Sequence, residues 1–423
     1  MDIFEIEGPV QLAGTIEVAG SKNSALPIMA AMILPGGVCK IPNAPYLADI
    51  QSFGMLLESM GARVARDPDA ALQIDSGPLN NPVGEYDIVR KIRAGICILG
   101  PLLARFGKAR VSMPGGCAIG DRPVDIHLRG LRALGAQIHL EEGYIVAQAP
   151  PGGLVGAQIF LGGPFGTTVL GTDNVMMAAA LARGTTIIES AACEPEVADL
   201  ANCLNAMGAK IRGIGSPRLV IEGVSRLNPV CYRVIGDRIE AGTFMAAAAI
   251  TKSSLEIRNC PINEMLAVVD RFRQIGIRVE ESAGGCRVGY AGTLKPADIT
   301  TQPYPGFPTD LQAQFMALLA LAEGNSVITE KIFPDRFMHV AELNRMAAHL
   351  RKEGPSVIVE GVDRLIAAPV MASDLRASAA LVLSGMAAHG TTTVQRVYHI
   401  DRGYEKIEEK LNAVGARIRR IAV

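Results

Sequence analysis

The 423-residue chain has no tryptophan, and its 8 tyrosines and 11 phenylalanines leave few flat surfaces on which bases could stack. A single-strand nucleic-acid binder is therefore disfavoured. There is no excess of either charge, since 41 Lys and Arg stand against 42 Asp and Glu, whereas a polyanion binder carries a basic excess or stripe. The eight cysteines, at 39, 97, 117, 193, 203, 231, 260 and 286, form no C-x-x-C pair. A chain this long does not need disulfides, so a reducing, cytoplasmic compartment is expected. The longest apolar runs, such as 94–104, are short and broken by Gly and Pro, which excludes a membrane-spanning helix. The acidic start Met1-Asp2-Ile3-Phe4-Glu5 lacks the basic region that opens a secretory signal. Missing too are a P-loop, an H-E-x-x-H helix, a G-x-S-x-G elbow and a strand-borne G-x-G-x-x-G, and the six histidines lack metal-ligand spacing.

What is present is a large apolar fraction, 49%, enough for two or three domains at this length, and an internal repeat. An Ala/Met/Leu-rich helix, a Gly or Ser break and a short β-branched strand recur at 25–41, 95–111, 175–188, 243–257, 315–328 and 379–394, with breaks at Gly37, Gly107, Gly184, Ser253, Gly324 and Gly390. A second marker, a helix end followed by Gly-Ala and a strand, keeps step at Gly61, Gly135, Gly208, Gly276 and Gly415, with Ala347 in the fifth copy. Glycine suits that place because it accepts positive φ without a Cβ clash. Two markers sharing a period of about 70 residues predict six αβ modules. The first helix of each is apolar nearly all round and should be buried; the second is amphipathic. Two lobes of three modules are the simplest arrangement, because solenoid repeats are usually only about 20–50 residues long.

Charged residues keep the same register. Counting back from each break gives Lys22, Arg93, Asp173, Arg238, Asp310 and Arg376, all at or near the start of a core helix. Free N–H groups and the helix dipole favour anions there, so a cation is locally unfavourable and suggests a polyanionic ligand. Counting forward gives Arg336, Arg402 and Cys117 in loops. Taken singly, an Arg or Lys is a solvated charge, and Asp310 and Asp374 read as N-caps; the shared register raises the group above that reading. Cys117 stands between Gly-Gly and Gly, with Arg122 nearby, a poor setting for an inert core thiol and one that lowers its pKa.

The segments Gly20-SKNSALP, Pro114-GGCAIGDRPVD, Glu194-PEVADL, Asp237-RIEAGTF, Phe307-PTDLQAQF, Asp335-RFMHV, Asp374-LRAS and His399-IDRGYE carry a resemblance along essentially the whole chain. It is to the UDP-N-acetylglucosamine 1-carboxyvinyltransferases, the UDP-sugar branch of the EPSP synthase-like enolpyruvyl transferases. The resemblance implies a two-lobed inside-out α/β barrel of six βαβαββ repeats. One lobe would be 22–235 and the other 1–21 plus 236–423, with the active site in the interlobe cleft. It implies transfer of the enolpyruvyl group of phosphoenolpyruvate to the 3-hydroxyl of UDP-N-acetylglucosamine by addition and elimination, with release of phosphate, as the first committed step of peptidoglycan synthesis. No metal or organic cofactor, nucleic acid, membrane or obligate protein partner is implied.

By the same resemblance Cys117 is the proton donor, able to form an adduct with phosphoenolpyruvate and open to epoxides such as fosfomycin, and Asp310 is the base. Lys22, Arg122 and Arg402 correspond to phosphate-side cations, and Arg336 and Arg376 to carboxylate-side ones. Lys22 and Asn23 match the paired phosphoenolpyruvate-site positions. Arg93, Arg122, Pro123, Val124, Asp125, Ile126, Asp310 and Ile332 match sugar-nucleotide contacts. The stretch 162–175 is a few residues longer than the family pattern, so diphosphate contacts there are not carried over. A transferase acting on another acceptor, and a silent paralogue that only binds UDP-sugars, are the competing readings. The intact Lys22, Cys117, Arg122, Asp310 and Arg402 set opposes the second.

Overall fold

In the computed structural model, residues 2–115, 124–164 and 166–422 are described. The chain groups into two compact units, a first comprising 20–115 and 124–235 and a second comprising 2–19 and 236–422. Each contains three small sheets, and each unit has its own hydrophobic core.

The module is clearest at 299–360. Strand Ile299–Thr300 is followed by helix Gln312–Leu319, strand Asn325–Thr329, helix His339–Arg345 and the hairpin His349–Glu353/Ser356–Glu360. The second strand lies parallel to the first and antiparallel to the last, so the sheet order is first, second, fourth, third. Strands 83–84, 108–112, 144–148 and 137–141 repeat this order, as do 158–160, 185–189, 218–222 and 210–212. The predicted βαβαββ pattern is thus present, but not every module is continuous in sequence. Strand Ala13–Glu17 supplies the parallel edge of the sheet built on Ser254–Arg258, and Asp2–Gly8 inserts between Gly390–Gln395 and Ile418–Ala422. In the first unit, Cys231 bridges in parallel to Lys40 beside the sheet of 38–41, 72–75 and 63–66.

The apolar composition of the first helix of each module has the expected result. All thirteen residues of Arg238–Ile250 are buried, as are nine of the ten in Lys22–Ala31, whereas strands such as Ser356–Glu360 bury alternate residues. Close helix approach depends on glycine. A Cβ on Gly100 would lie 2.2 Å from the Asn174 carbonyl oxygen, and one on Gly242 would lie 2.5 Å from Leu311 Cδ1. The second repeat marker ends in a left-handed residue at each of its six places, including Ala347 at φ 64°. The first marker is shifted by one residue in two copies, where Gly36 and Lys252, rather than Gly37 and Ser253, take positive φ.

Several core-helix starts are closed by their own side chains. Ser21 accepts from Ser24 N–H, Thr168 from Gly171 N–H, Asp237 from Ile239 and Glu240 N–H, and Asp374 from Arg376 and Ala377 N–H. These caps correct the expectation that the helix ends themselves await an anion, because side-chain oxygens already take part of their donor capacity. Among the described residues, no helix is long and apolar enough to cross a membrane.

Candidate active site

The second unit gathers three of the residues singled out by register. Asp310 lies in the one-turn helix Thr309–Leu311 that leads into Gln312–Leu319. It is not the N-cap that its sequence context suggested. Its Oδ1 accepts from Arg336 Nη1 at 2.8 Å, and its Oδ2 from Arg376 Nε at 3.2 Å and Nη2 at 3.1 Å. Arg336 and Arg376 are buried while Asp310 is about a quarter exposed, with side-chain exposures of 7%, 2% and 26%. Two guanidiniums out of water thus converge on one partly open carboxylate, where such bonds are strongest. Asp374 is the N-cap, as its local reading proposed, and its Oδ1 also stands 4.0 Å from Arg336 Nη2.

The arginines are held by more than Asp310. The Arg376 guanidinium sits 5.3 Å from the centre of the buried Tyr404 ring, and Tyr404 in turn meets Thr243 at 2.9 Å. Among the described residues, Arg376 Nη1 has no hydrogen-bond partner although it is buried. A buried donor left in that state favours an arriving acceptor. Arg402 ends the 3-10 helix Val397–Arg402, two residues before Tyr404. The intervening Gly403 packs so tightly on Leu375, the first residue of the helix bearing Arg376, that a Cβ would be 2.5 Å from Leu375 Cδ2. His339 is buried beside this cluster, and burial pushes its pKa down to about 4, with Asp374 partly offsetting the fall and Arg336 adding slightly to it. Ile332 is half-buried in the loop after strand 325–329, its N–H held by Glu330 Oε1 at 2.8 Å.

The first unit carries the remaining described candidates. Lys22 opens helix Lys22–Ala31, is 9% exposed and lies 3.4 Å from Asp49 Oδ2. Asn23 follows it, half-buried. Behind them the Ser24 hydroxyl donates to Asp199, whose carboxylate also accepts from Tyr232 Oη at 2.7 Å and Ile235 N–H at 3.1 Å. Arg93 begins the 3-10 helix Arg93–Ile98. Asp173 is the fifth residue of Val169–Ala179 rather than its first, buried with Oδ1 unpartnered among the described residues. Burial holds its pKa well above the usual carboxylate range, with Glu194 and Glu196 adding to the rise. Val124 is buried at the start of helix Asp125–Ala133, Asp125 is exposed and Ile126 half-buried. A Cβ on Gly163 would come within 2.6 Å of Ile126 Cδ1, which sets the lengthened 162–175 stretch against that helix. Cys117, Arg122 and Pro123 lie outside the described residues.

Sequence reasoning passed over Asp49, Asp199, Glu330 and Thr309 as site residues. Asp49 stands 12 residues after Gly37 and Thr309 stands 15 before Gly324, offsets shared with Arg336 and Lys22, while Asp199 and Glu330 fall at neither; each acts through a partner 21 to 175 positions away in the chain. Placement in the family segments Glu194-PEVADL and Phe307-PTDLQAQF offered a further signal for Asp199 and Thr309. No cluster of three or more His, Cys, Asp or Glu able to hold a metal occurs among the described residues.

Comparison with known proteins follows the same chemistry. The model of the EPSP synthase (3-phosphoshikimate 1-carboxyvinyltransferase) family matches residues 6–411. The chain belongs to the EPSP synthase family. It is 52% identical over 421 residues to the UDP-N-acetylglucosamine 1-carboxyvinyltransferase of Desulfosudis oleivorans, covering 100% of both chains. It is 53% identical over 421 residues to the enzyme of the same name from Methylacidiphilum infernorum, covering 100% of this chain and 99% of the relative. Among solved structures, the enolpyruvyl transferase NikO from Streptomyces tendae superposes with a TM-score of 0.89 at 25% identity, over 100% of this chain and 99% of the other. The enolpyruvyl transferase fold implied by the resemblance is therefore the fold of this chain.

Proposed function

We propose that the chain transfers the enolpyruvyl group of phosphoenolpyruvate to the 3-hydroxyl of UDP-N-acetylglucosamine, releasing phosphate, in the cytoplasm and as an early step of cell-wall synthesis. The observation that carries this is the full-length identity of 52% to a relative of that name, joined to the Arg336–Asp310–Arg376 cluster. Seven described cysteines are free thiols, which suits a reducing compartment. The identities of 52% and 53% are to enzymes named for UDP-N-acetylglucosamine, which favours the UDP-sugar over another acceptor.

In this reading Cys117 gives a proton to the methylene carbon of phosphoenolpyruvate while the sugar oxygen bonds to C2. Asp310 accepts the proton of that hydroxyl. The resulting tetrahedral adduct then returns a proton from its methyl carbon to the Cys117 thiolate and expels phosphate, which leaves with the proton held by Asp310. Lys22, Arg122 and Arg402 hold the phosphate, and Arg336 and Arg376 hold the carboxylate, where planar guanidiniums bond in pairs. Arg376 Nη1, without a partner among the described residues, is the donor best placed to gain from that carboxylate. Asn23 stands with Lys22 on the phosphoenolpyruvate side, and Arg93, Pro123, Val124, Asp125, Ile126 and Ile332 line the sugar-nucleotide side.

The test is phosphate release from phosphoenolpyruvate with each acceptor in turn. Release with UDP-N-acetylglucosamine and none with shikimate 3-phosphate is expected. Release with shikimate 3-phosphate alone, or with neither, overturns the assignment.

A further inference from the structure

We infer that Glu330 is a positioning residue for Asp310, acting through Thr309 and Arg336. The inference rests on the reading of Asp310 as the base, and it concerns a carboxylate with no place in that reading. Glu330 follows strand Asn325–Thr329 and is fully buried, at 0% exposure. A carboxylate taken out of water is costly unless donors replace the water. Four do so here. Oε1 accepts from Thr301 Oγ1 at 2.6 Å, Ile332 N–H at 2.8 Å and Phe333 N–H at 3.0 Å, and Oε2 accepts from Thr309 Oγ1 at 2.8 Å.

The last bond links Glu330 to the reacting group. Thr309 has one hydroxyl proton, and Glu330 takes it. Its lone pairs are then directed elsewhere, and Arg336 Nη1 donates to one of them at 3.1 Å. The same Nη1 donates to Asp310 Oδ1 at 2.8 Å. Glu330 thus fixes the direction of the Thr309 hydroxyl, the hydroxyl fixes the Arg336 fork, and the fork fixes one oxygen of Asp310. Its other oxygen, Oε1, fixes the backbone of Ile332 and Phe333, the turn that leads to Arg336, whose own N–H bonds the Phe333 carbonyl at 2.9 Å. Glu330 therefore holds both ends of the segment that delivers Arg336.

Glu330→Gln keeps the shape and turns an amide donor toward Thr309, which must then accept from both sides and loses the acceptor for its own proton. Thr309→Val removes the link and leaves the three bonds at Oε1; Thr309→Ser restores the hydroxyl. Glu330→Gln and Thr309→Val should each lower kcat by about 10- to 100-fold, with KM for phosphoenolpyruvate changed far less, because a small misplacement of a reacting group costs that much. Thr309→Ser should stay within about twofold of the parent, and Thr309→Val should add nothing in an Asp310→Asn background, as expected of residues acting in one chain. Wild-type kcat in Thr309→Val alongside an inactive Asp310→Asn overturns the inference. So does an equal loss in the Asp310→Asn background. Should Asp310→Asn itself retain turnover, it is the assignment of Asp310 as base that fails. Should Glu330→Gln not fold, the Thr309 pair decides alone.

Discussion

Two core helices, one in each unit, begin with a charged residue from the same repeat register, and the two starts are built differently. At Lys22–Ala31 the cation is the first residue of a regular, serine-capped helix, and one carboxylate, Asp49, faces it at 3.4 Å. At 309–319 the charge is an acid in a 3-10 turn, and two arginines, Arg336 of the same module and Arg376 of the next, bracket it at 2.8 and 3.1 Å. The first arrangement pairs the ammonium, a flexible point charge, with the Asp49 carboxylate. The second sets a carboxylate rigidly between planar forks, with Thr309 and Glu330 behind. A common backbone position therefore does not determine chemical role; the partners that the tertiary structure brings to it do.

The comparison can be broken most directly at its two centres. Asp310→Asn should lower turnover in the phosphate-release assay by about 100- to 10,000-fold, the range for loss of a general base. Lys22→Ala should lower it by about 100- to 1,000-fold, the range for loss of one electrostatic donor. Near-wild-type turnover in either variant would dissolve the contrast in roles. A second effect separates the units by pH. His339 beside the arginine cluster has its pKa pushed down from 6.5 to about 4, chiefly by burial. The unfolded chain binds that proton first, so stability is fully present above pH 6.5 and declines as pH falls toward 4. Unfolding free energy by urea should fall on the order of a few kcal/mol more across that window in the parent than in His339→Gln. Parallel curves for the two would contradict the neutral, buried ring.

Smaller changes sharpen the picture. Asp49→Asn leaves Lys22 an uncharged acceptor and should reduce turnover by about tenfold, well short of Lys22→Ala, since truncating the partner only loosens the ammonium. Equal losses in the two variants would make Asp49 a participant in its own right. The smallest effect belongs to the scaffold. Ala347 takes φ 64° where the other five modules have glycine. Ala347→Gly should therefore raise unfolding free energy by up to about 1 kcal/mol, strain relief slightly exceeding the entropy cost of glycine. A lower melting temperature would show that the left-handed alanine is not strained.

The modules were legible because their cause is local. A helix apolar on every side has to be covered, and a Gly at the helix end marks the reversal in each copy. Arg336, Arg376 and Asp310 were legible for the same reason, as charges in register with that pattern. Their grouping was not, because Asp310 and Arg376 are 66 positions apart. The local N-cap reading held for Asp374 and failed for Asp310, although both precede buried helices. What separated them was the pair of guanidiniums that meet Asp310, Arg336 from its own module and Arg376 from the next. Strands Asp2–Gly8 and Ala13–Glu17 gave no sign that they complete modules hundreds of residues away, since an edge strand of alternating residues fits many sheets.

Periodicity and residue type alone determined that this protein is made of six buried-helix modules with charges near the starts of those helices, because burial and backbone handedness act over a few residues. Only the tertiary structure decided which charges neutralise one another, which helix ends are already capped, and that a fully buried Glu330 stands behind Thr309 and Arg336. Those outcomes depend on donors and acceptors meeting within about 3 Å, a condition that distance along the chain does not encode.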